Sequence, residues 1–342
     1  MQLSLTLFEH LLHRLHRLPT PVLDAFGSVL FGHILAVGVR RGLFEFLSSG
    51  ARGTTEIARH MNMSETAVQL ILDSYQSAGY LKSHHDEYGL TKESERWLLP
   101  SSPFYIGNLI GYFESLYRRW GDLEYALDHG GPRRPYYEAF DDKDWQLYVH
   151  AMGDLARVLI PEVFRVMRFP ESPKRLLDIG GSHGRYALEC CRRLPELQAI
   201  IIDFQPALRH AADFVRGEKL ESRVLLQAGD MLKVDFPGNQ DVVLLFNVIH
   251  GFGDSDNLDL VQRSLGALRP GGVLFILDQF LEGRGSSVLG RFLPLMVGLN
   301  LLNEIGGRVY AFHDVQRWCS GASTVRYRNL RVPGVGLVEV RT

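Results

Sequence analysis

From residue 170 onward, short apolar runs alternate with stretches whose apolar positions recur at helical spacing, and glycine, proline or an acid marks each change of period. Leu176 to Ile179, after Arg175, reads as a buried strand. Gly180, Gly181 and Gly184 punctuate a tight loop, and Tyr186 to Leu194 is a helix closed by Pro195 and Glu196. Ala199 to Ile202 is a second buried strand with Asp203 at its carboxyl end, where open α/β sheets place their ligands. A helix over Pro206 to Arg216 and a strand over Val224 to Gln227 follow, then Gly229, Asp230 and Met231. Asp241 to Ile249 is the most hydrophobic strand, expected at the centre of the sheet, and it ends in His250. Asp254 starts a helix through Leu268, Arg269 to Gly272 is a turn, and Val273 to Leu277 is a buried strand ending in Asp278. Val325 to Leu330 and Val335 to Arg341 pair antiparallel at the end. This rhythm predicts an α/β domain over 170–342, a Rossmann-like, doubly wound, mostly parallel sheet.

Upstream the period is helical. Val29 to Leu47 carries apolar residues at helical spacing, a short helix runs from Thr54 through His60, and Ser64 caps a helix from Glu65 to Ala78 that Gly79 ends. Tyr80 to Lys82 and Tyr88 to Thr91 flank a polar turn. Helices followed by a small hairpin make residues 1–100 a winged-helix domain. Its presumed recognition helix has no Arg or Lys, which makes it a poor reader of DNA; Val68, Leu70, Ile71, Leu72 and Tyr75 are better explained by packing, in a dimerisation module. Residues 101–169 are helical, broken at Gly130 to Pro135, and rich in aromatics, most of them assigned to core. Tyr148 and Met152, one turn apart just before the α/β domain, are the exceptions expected at a substrate mouth. Met296 and Asn300, in the apolar stretch Val288 to Leu302, complete the candidate substrate residues.

The glycine loop narrows the choice of nucleotide. A pyrophosphate needs backbone amides at a helix N-terminus, and Asp178 just before the loop would repel it. A cofactor with a cationic amino-acid tail and no phosphate suits that acid, while Asp203 can accept from ribose hydroxyls; S-adenosylmethionine has both parts. The alternative is a plain tight turn with both acids solvated or capping a helix. Asp230 can accept from an adenine amino group or simply form a turn with Gly229.

Composition adds limits. With 342 residues the chain can hold two domains, and 46% hydrophobic with 22% charged residues is ordinary for a globular protein. Basic and acidic residues nearly balance at 37 and 39, so no dominant nucleic-acid or acidic-membrane footprint is expected and small partners are favoured. Three cysteines, Cys190, Cys191 and Cys319, show no zinc spacing, pointing to a reducing cytoplasm and no structural metal. No secretory signal is read, and Arg291 and Asn300 interrupt the most apolar stretch, so no membrane span is expected. Residues 3 to 17 alternate leucines with His10, His13, Arg14, His16 and Arg17, the pattern of a helix that packs on a partner subunit, with an interfacial helix as the alternative.

Assembled in order, DIGGSHG, IIDF, GDM, NVIH and LRPGG resemble the S-adenosylmethionine-dependent small-molecule O-methyltransferases, the plant caffeate type and its bacterial polyketide and pigment relatives. The resemblance runs from about residue 20 to the end. It implies a homodimer through the winged-helix domain and a cofactor held by Asp178, Gly180, Gly181, Gly184, Asp203, Phe204, Gly229, Asp230, Met231 and Asn247. Tyr148 and Met152 match the family's substrate-helix positions. His250 matches its general base, which takes a proton from a substrate hydroxyl, and Asp278 stands for one of its acids. Gly251 and Phe252 replace the Asp-Trp that usually follows the histidine, and Val309 replaces a second acid. These departures leave a C- or N-methyltransferase, or a chemically diverged relative, as an alternative; Tyr310 and His313 are substitute bases. A ligand-sensing winged-helix regulator is the alternative from another class.

Overall fold

The computed structural model describes residues 14–15, 17–284 and 288–342. The helix expected over residues 3 to 17 lies outside them except for Arg14, Leu15 and Arg17. The chain forms two compact units, Met1–Arg118 and Arg119–Thr342, which divide the helical segment 101–169 between them.

In the first unit, helix α1 (Thr20–Arg40) contains a π-turn at Leu23–Gly27. It gives way at Gly42, whose φ of 70° no other residue type adopts cheaply, to α2 (Leu43–Leu47). Strand β1 (Arg52–Gly53) leads into α3 (Thr54–Met61) and α4 (Glu65–Ser77), where the Ser64 hydroxyl accepts the Ala67 N–H at 3.3 Å. Strands β2 (Leu81–His84) and β3 (Glu87–Leu90) form an antiparallel hairpin, and the sheet order is β1-β3-β2. Helices α5 (Lys92–Trp97) and α6 (Gly107–Arg119) close the unit. Val68, Leu72 and Tyr75, at i, i+4 and i+7, are fully buried on one face of α4. Leu70 was expected to pack with them but is 66% exposed, because two residues from Val68 is about 200° around a helix.

The second unit opens with α7 (Leu123–His129) and the long α8 (Asp142–Val166), whose start is fixed by a reciprocal capping box between Asp141 and Asp144. Then come β4 (Arg175–Ile179), α9 (Arg185–Arg193), β5 (Gln198–Asp203), α10 (Gln205–Gly217), β6 (Val224–Ala228), β7 (Gln240–Phe246), α11 (Asp254–Gly266) and β8 (Leu268–Gln279). Helices α12 (Val288–Ile305) and α13 (Phe312–Trp318) precede β9 (Thr324–Asn329) and β10 (Val335–Arg341). The seven strands run in the order β6-β5-β4-β7-β8-β10-β9, parallel from β6 to β8, with β10 antiparallel to both of its neighbours. β7 is buried at every position and central, as its composition predicted.

Two boundaries differ from expectation. β7 stops at Phe246 because Asn247 turns to φ 55°, and His250 sits beyond the strand on a 3₁₀ turn, Ile249–Gly251. Arg269 to Gly272 does not separate two elements: Leu268 pairs with Gln240 and Val273 with Val242, so these residues bulge within one strand.

Apolar cores cover both faces of the sheet. Cys190, Cys191 and Cys319 are buried and free; burial pushes the Cys190 thiol well up, Cys191 to about 11 and Cys319 to about 12. By length and composition α1 and α12 are apolar enough to cross a membrane. In α12, however, Asn300 accepts the Trp120 indole N–H at 2.9 Å and Glu304 is buried against Arg119, contacts with the rest of its own unit.

Candidate active site

The loop between β4 and α9 turns at Gly180 and Gly184, both with φ 70°, and Gly180 N–H donates to Ile202 O at 2.8 Å, tying the loop to β5. Asp178 lies beneath it. Residue 181 has to be glycine, since a Cβ there would come within 2.7 Å of the Asp178 carboxylate. That carboxylate is 1% exposed and neither oxygen has a hydrogen-bond partner; burial, then the charge of Asp203, pushes its pKa up to about 7. Asp203 is buried but better served. Its two oxygens accept the N–H groups of Ser182 at 2.8 Å and Phe204 at 2.6 Å, and burial still raises its pKa to about 6. His183, held neutral because burial drops its pKa to about 3, accepts the Arg185 N–H through Nδ1 at 3.0 Å. An amide in the first turn of α9 is therefore engaged by the protein's own side chain, which removes part of the cradle a phosphate needs.

A cleft opens above the carboxyl ends of the parallel strands. The loop and the ends of β5 and β6 contribute Gly180, Ser182, Asp203, Phe204 and Met231; the segment after β7 contributes Asn247, Val248, His250, Gly251 and Phe252. Tyr136, Tyr137, Trp145 and Tyr148 line it from α8 and the turn before α8, and Ile305 lines it from the end of α12. Of the residues singled out in the sequence, Gly180, Asp203, Phe204, Met231, Asn247, His250 and Tyr148 thus meet in one cleft. Asp178, beneath the loop, and Gly181 and Gly184, within it, do not line the cleft. Asp230 is not among the lining residues but acts electrostatically on Tyr137, which is; its Oδ1 accepts the Leu232 N–H at 3.0 Å and Oδ2 pairs with the exposed Lys233 at 2.9 Å. Met152, Met296 and Asn300 are also off the lining. Sequence reasoning assigned most aromatics of 101–169 to core; Trp145 is buried in one and also lines the cleft, whereas Tyr136 and Tyr137 are only partly buried, and the break at Gly130 to Pro135 just before them was the signal that they belong to a turn. Ser182 and Ile305 were missed, although Ser182 lies inside the loop motif.

His250 is oriented from behind. Its Nδ1 lies 2.7 Å from Asp278 Oδ1, and Asp278 is fully buried. A carboxylate can only accept, so Nδ1 carries the proton and the lone pair of the neutral ring is on Nε2. Asp278 Oδ1 also accepts the Gln279 N–H at 2.8 Å. The turn itself is clamped: Asn257 Nδ2 donates to Ile249 O at 2.9 Å and Phe252 O at 3.2 Å, the Tyr310 hydroxyl donates to Phe252 O at 2.6 Å, and Arg308 N–H donates to His250 O at 2.9 Å. Tyr310 is therefore a clamp, buried off the cleft, and His313 is exposed beside Asp314. Neither substitute base reaches the cleft.

A mostly parallel sheet with acids at two adjacent strand ends, a glycine loop ill-suited to phosphate and a carboxylate-held imidazole suit a phosphate-free nucleoside cofactor rather than a nucleotide. The profile of the O-methyltransferase domain family matches residues 119–322, and the chain belongs to that family. Its class of chemistry is accordingly O-methyl transfer. Over 335 residues it is 24% identical to the 3-hydroxy-5-methyl-1-naphthoate 3-O-methyltransferase of Streptomyces sahachiroi, covering 93% of this chain and 94% of that one. A shorter match, 32% over 143 residues (42% of this chain, 37% of the other), is to the aclacinomycin 10-hydroxylase RdmB of Streptomyces purpurascens. Among solved structures, human N-acetylserotonin methyltransferase in complex with SAM superposes with a TM-score of 0.82 at 20% identity, over 100% of this chain and 99% of that one.

Proposed function

We propose that the protein transfers a methyl group from S-adenosylmethionine to a hydroxyl of a small aromatic or polycyclic acceptor, with His250 as general base. The observation that carries this reading is the His250–Asp278 pair at the cleft, which in the neutral ring puts the proton on Nδ1 and the lone pair on Nε2. The cofactor fits the residues present. Asp203 keeps acceptor capacity for ribose hydroxyls, Phe204 and Met231 offer apolar surface for a base, the unpartnered Ser182 hydroxyl lies at the cleft, and the unpartnered Asp178 carboxylate beneath the loop supplies negative charge for a cationic amino-acid tail. When bound, S-adenosylmethionine supplies an electrophilic methyl group on a sulfonium. The chain's part is to bring the acceptor hydroxyl to Nε2, take its proton there and hold the resulting imidazolium against Asp278. Tyr136, Tyr137, Trp145 and Tyr148 give flat faces for a planar acceptor and exclude water.

Residues 1–100 form a winged-helix module that dimerises rather than reads DNA. Support comes from α4, which carries no Arg or Lys, and from α1, where Val22, Phe26, Val29 and Leu30 are exposed. The enzyme works as a cytoplasmic homodimer. Incubating it with radiolabelled S-adenosylmethionine and a set of phenols tests the reading: label must enter an acceptor oxygen, and a product hydroxylated or methylated on carbon instead would overturn it.

A further inference from the structure

The aromatic wall of the cleft is fastened to the end of α12 at two points. The first is backbone against backbone: a Cβ on Gly131 would stand 3.2 Å from the Cα of Gly306, itself at φ 70°. The second is an ion pair. Arg119 Nε donates to Glu304 Oε2 at 2.6 Å, Glu304 is 3% exposed, and the guanidinium carbon lies 5.8 Å from the Tyr136 ring centre and 5.5 Å from that of Phe140. The same stretch then turns to the other wall. Ile305 lines the cleft, Gly307 runs so close to His250 O that a side chain has no room, and Arg308 N–H donates to that carbonyl. Residues 304–308 grip the aromatic turn on one side and the histidine turn on the other.

The turn so held covers the cofactor end. Tyr137 packs on Phe204 at 5.7 Å, next to Asp203, and Tyr136 packs on Tyr148 at 5.5 Å. A buried ion pair contributes little net stability, because desolvation offsets its attraction, so a role in placing neighbours accounts better for this one. We propose that Arg119 and Glu304 are positioning residues of the transferase site, a latch that holds the aromatic turn 130–141 over the bound cofactor in register with His250. The proposal rests on the cleft being the S-adenosylmethionine site.

The test uses S-adenosylhomocysteine, with its release followed by stopped-flow tryptophan fluorescence and melting curves run in parallel. Glu304→Gln cuts the ion pair, and Gly131→Val unseats the backbone contact independently. Each variant is expected to release the ligand about tenfold faster or more, the factor that follows from losing roughly 1.4 kcal/mol of bound-state stabilisation. Arg119→Lys, which keeps the charge but not the planar group over the two rings, is expected between wild type and Glu304→Gln. Wild-type release rates in both cuts overturn the latch, and so does a lowered melting temperature with unchanged release, which marks a merely structural pair. If Glu304→Gln fails to fold, Gly131→Val decides. Wild-type protein that does not bind S-adenosylhomocysteine overturns the functional reading itself, an outcome visible without any variant.

Discussion

The two ends of the cleft are held by different kinds of structure. At the loop end, Asp178 and Asp203 stand at the ends of adjacent parallel strands, and the backbone alone sets their spacing. At the other end His250 lies on a single 3₁₀ turn, kept in place by Asn257, Asp278, Arg308 and Tyr310, which come from α11, β8 and the segment after α12. The first end offers groups that regular structure presents; the second offers a group that tertiary contacts must aim. Binding and chemistry should therefore be separable by mutation.

The largest expected effect is on chemistry. His250→Ala should lower the methyl-transfer rate by about 100- to 10,000-fold while leaving S-adenosylhomocysteine affinity by calorimetry nearly unchanged. Asp278→Asn should follow in the same direction with a smaller loss, since the ring remains but its orienting acceptor weakens. An affinity loss in His250→Ala as large as its rate loss would break the division between the two ends. Next comes Asp203→Ala, which removes an acceptor for ribose hydroxyls and should weaken affinity by roughly 10- to 150-fold, the equivalent of about 1.5 to 3 kcal/mol for a hydrogen bond to a charged group. Unchanged affinity in that variant would remove the loop end from the binding site.

The smallest effect is on pH. Asp178 and Asp203 have pKa values raised to about 7 and about 6, above the ordinary aspartate value near ~3.9. Between those limits the folded protein binds more protons than the unfolded chain, so these two groups make the ligand-free protein lose stability as pH rises from about 4 to about 7. A cationic tail beside Asp178 favours its ionised form, so cofactor affinity should rise over the upper part of that range. Melting curves from pH 5 to 8 should fall less steeply for Asp178→Asn, which is also expected to melt higher than wild type at pH 7.5 without ligand and to bind S-adenosylhomocysteine more weakly. An identical pH slope in the variant would mean that Asp178 is not the group responsible.

The same contrast explains what was legible in the sequence. The glycine loop, Asp203 and the central strand could be read because local period and turn chemistry determine them. Asp278 was readable as a strand-end acid, and its reach to His250 needed only two neighbouring strands. The clamp by Asn257 and Tyr310 was not readable: nothing local to either residue marks a hydrogen bond to a carbonyl 5 or 58 positions away. That Tyr136 and Tyr137 line the cleft was not readable, because an aromatic in a helical segment looks the same whether it faces a core or a cleft; Trp145 does both. Asp230 pairs with Lys233, a contact that the Gly-Asp motif did not reveal.

The burial of every thiol makes the molecule convenient to label. Cys190, Cys191 and Cys319 are enclosed and remain protonated at neutral pH, and the thiol form is a poor nucleophile toward maleimides or iodoacetamides. A cysteine introduced at an exposed position of the aromatic turn, as in Glu138→Cys, would be the one reactive sulfur in the native chain, so a single dye could report the opening of that turn without any background to subtract.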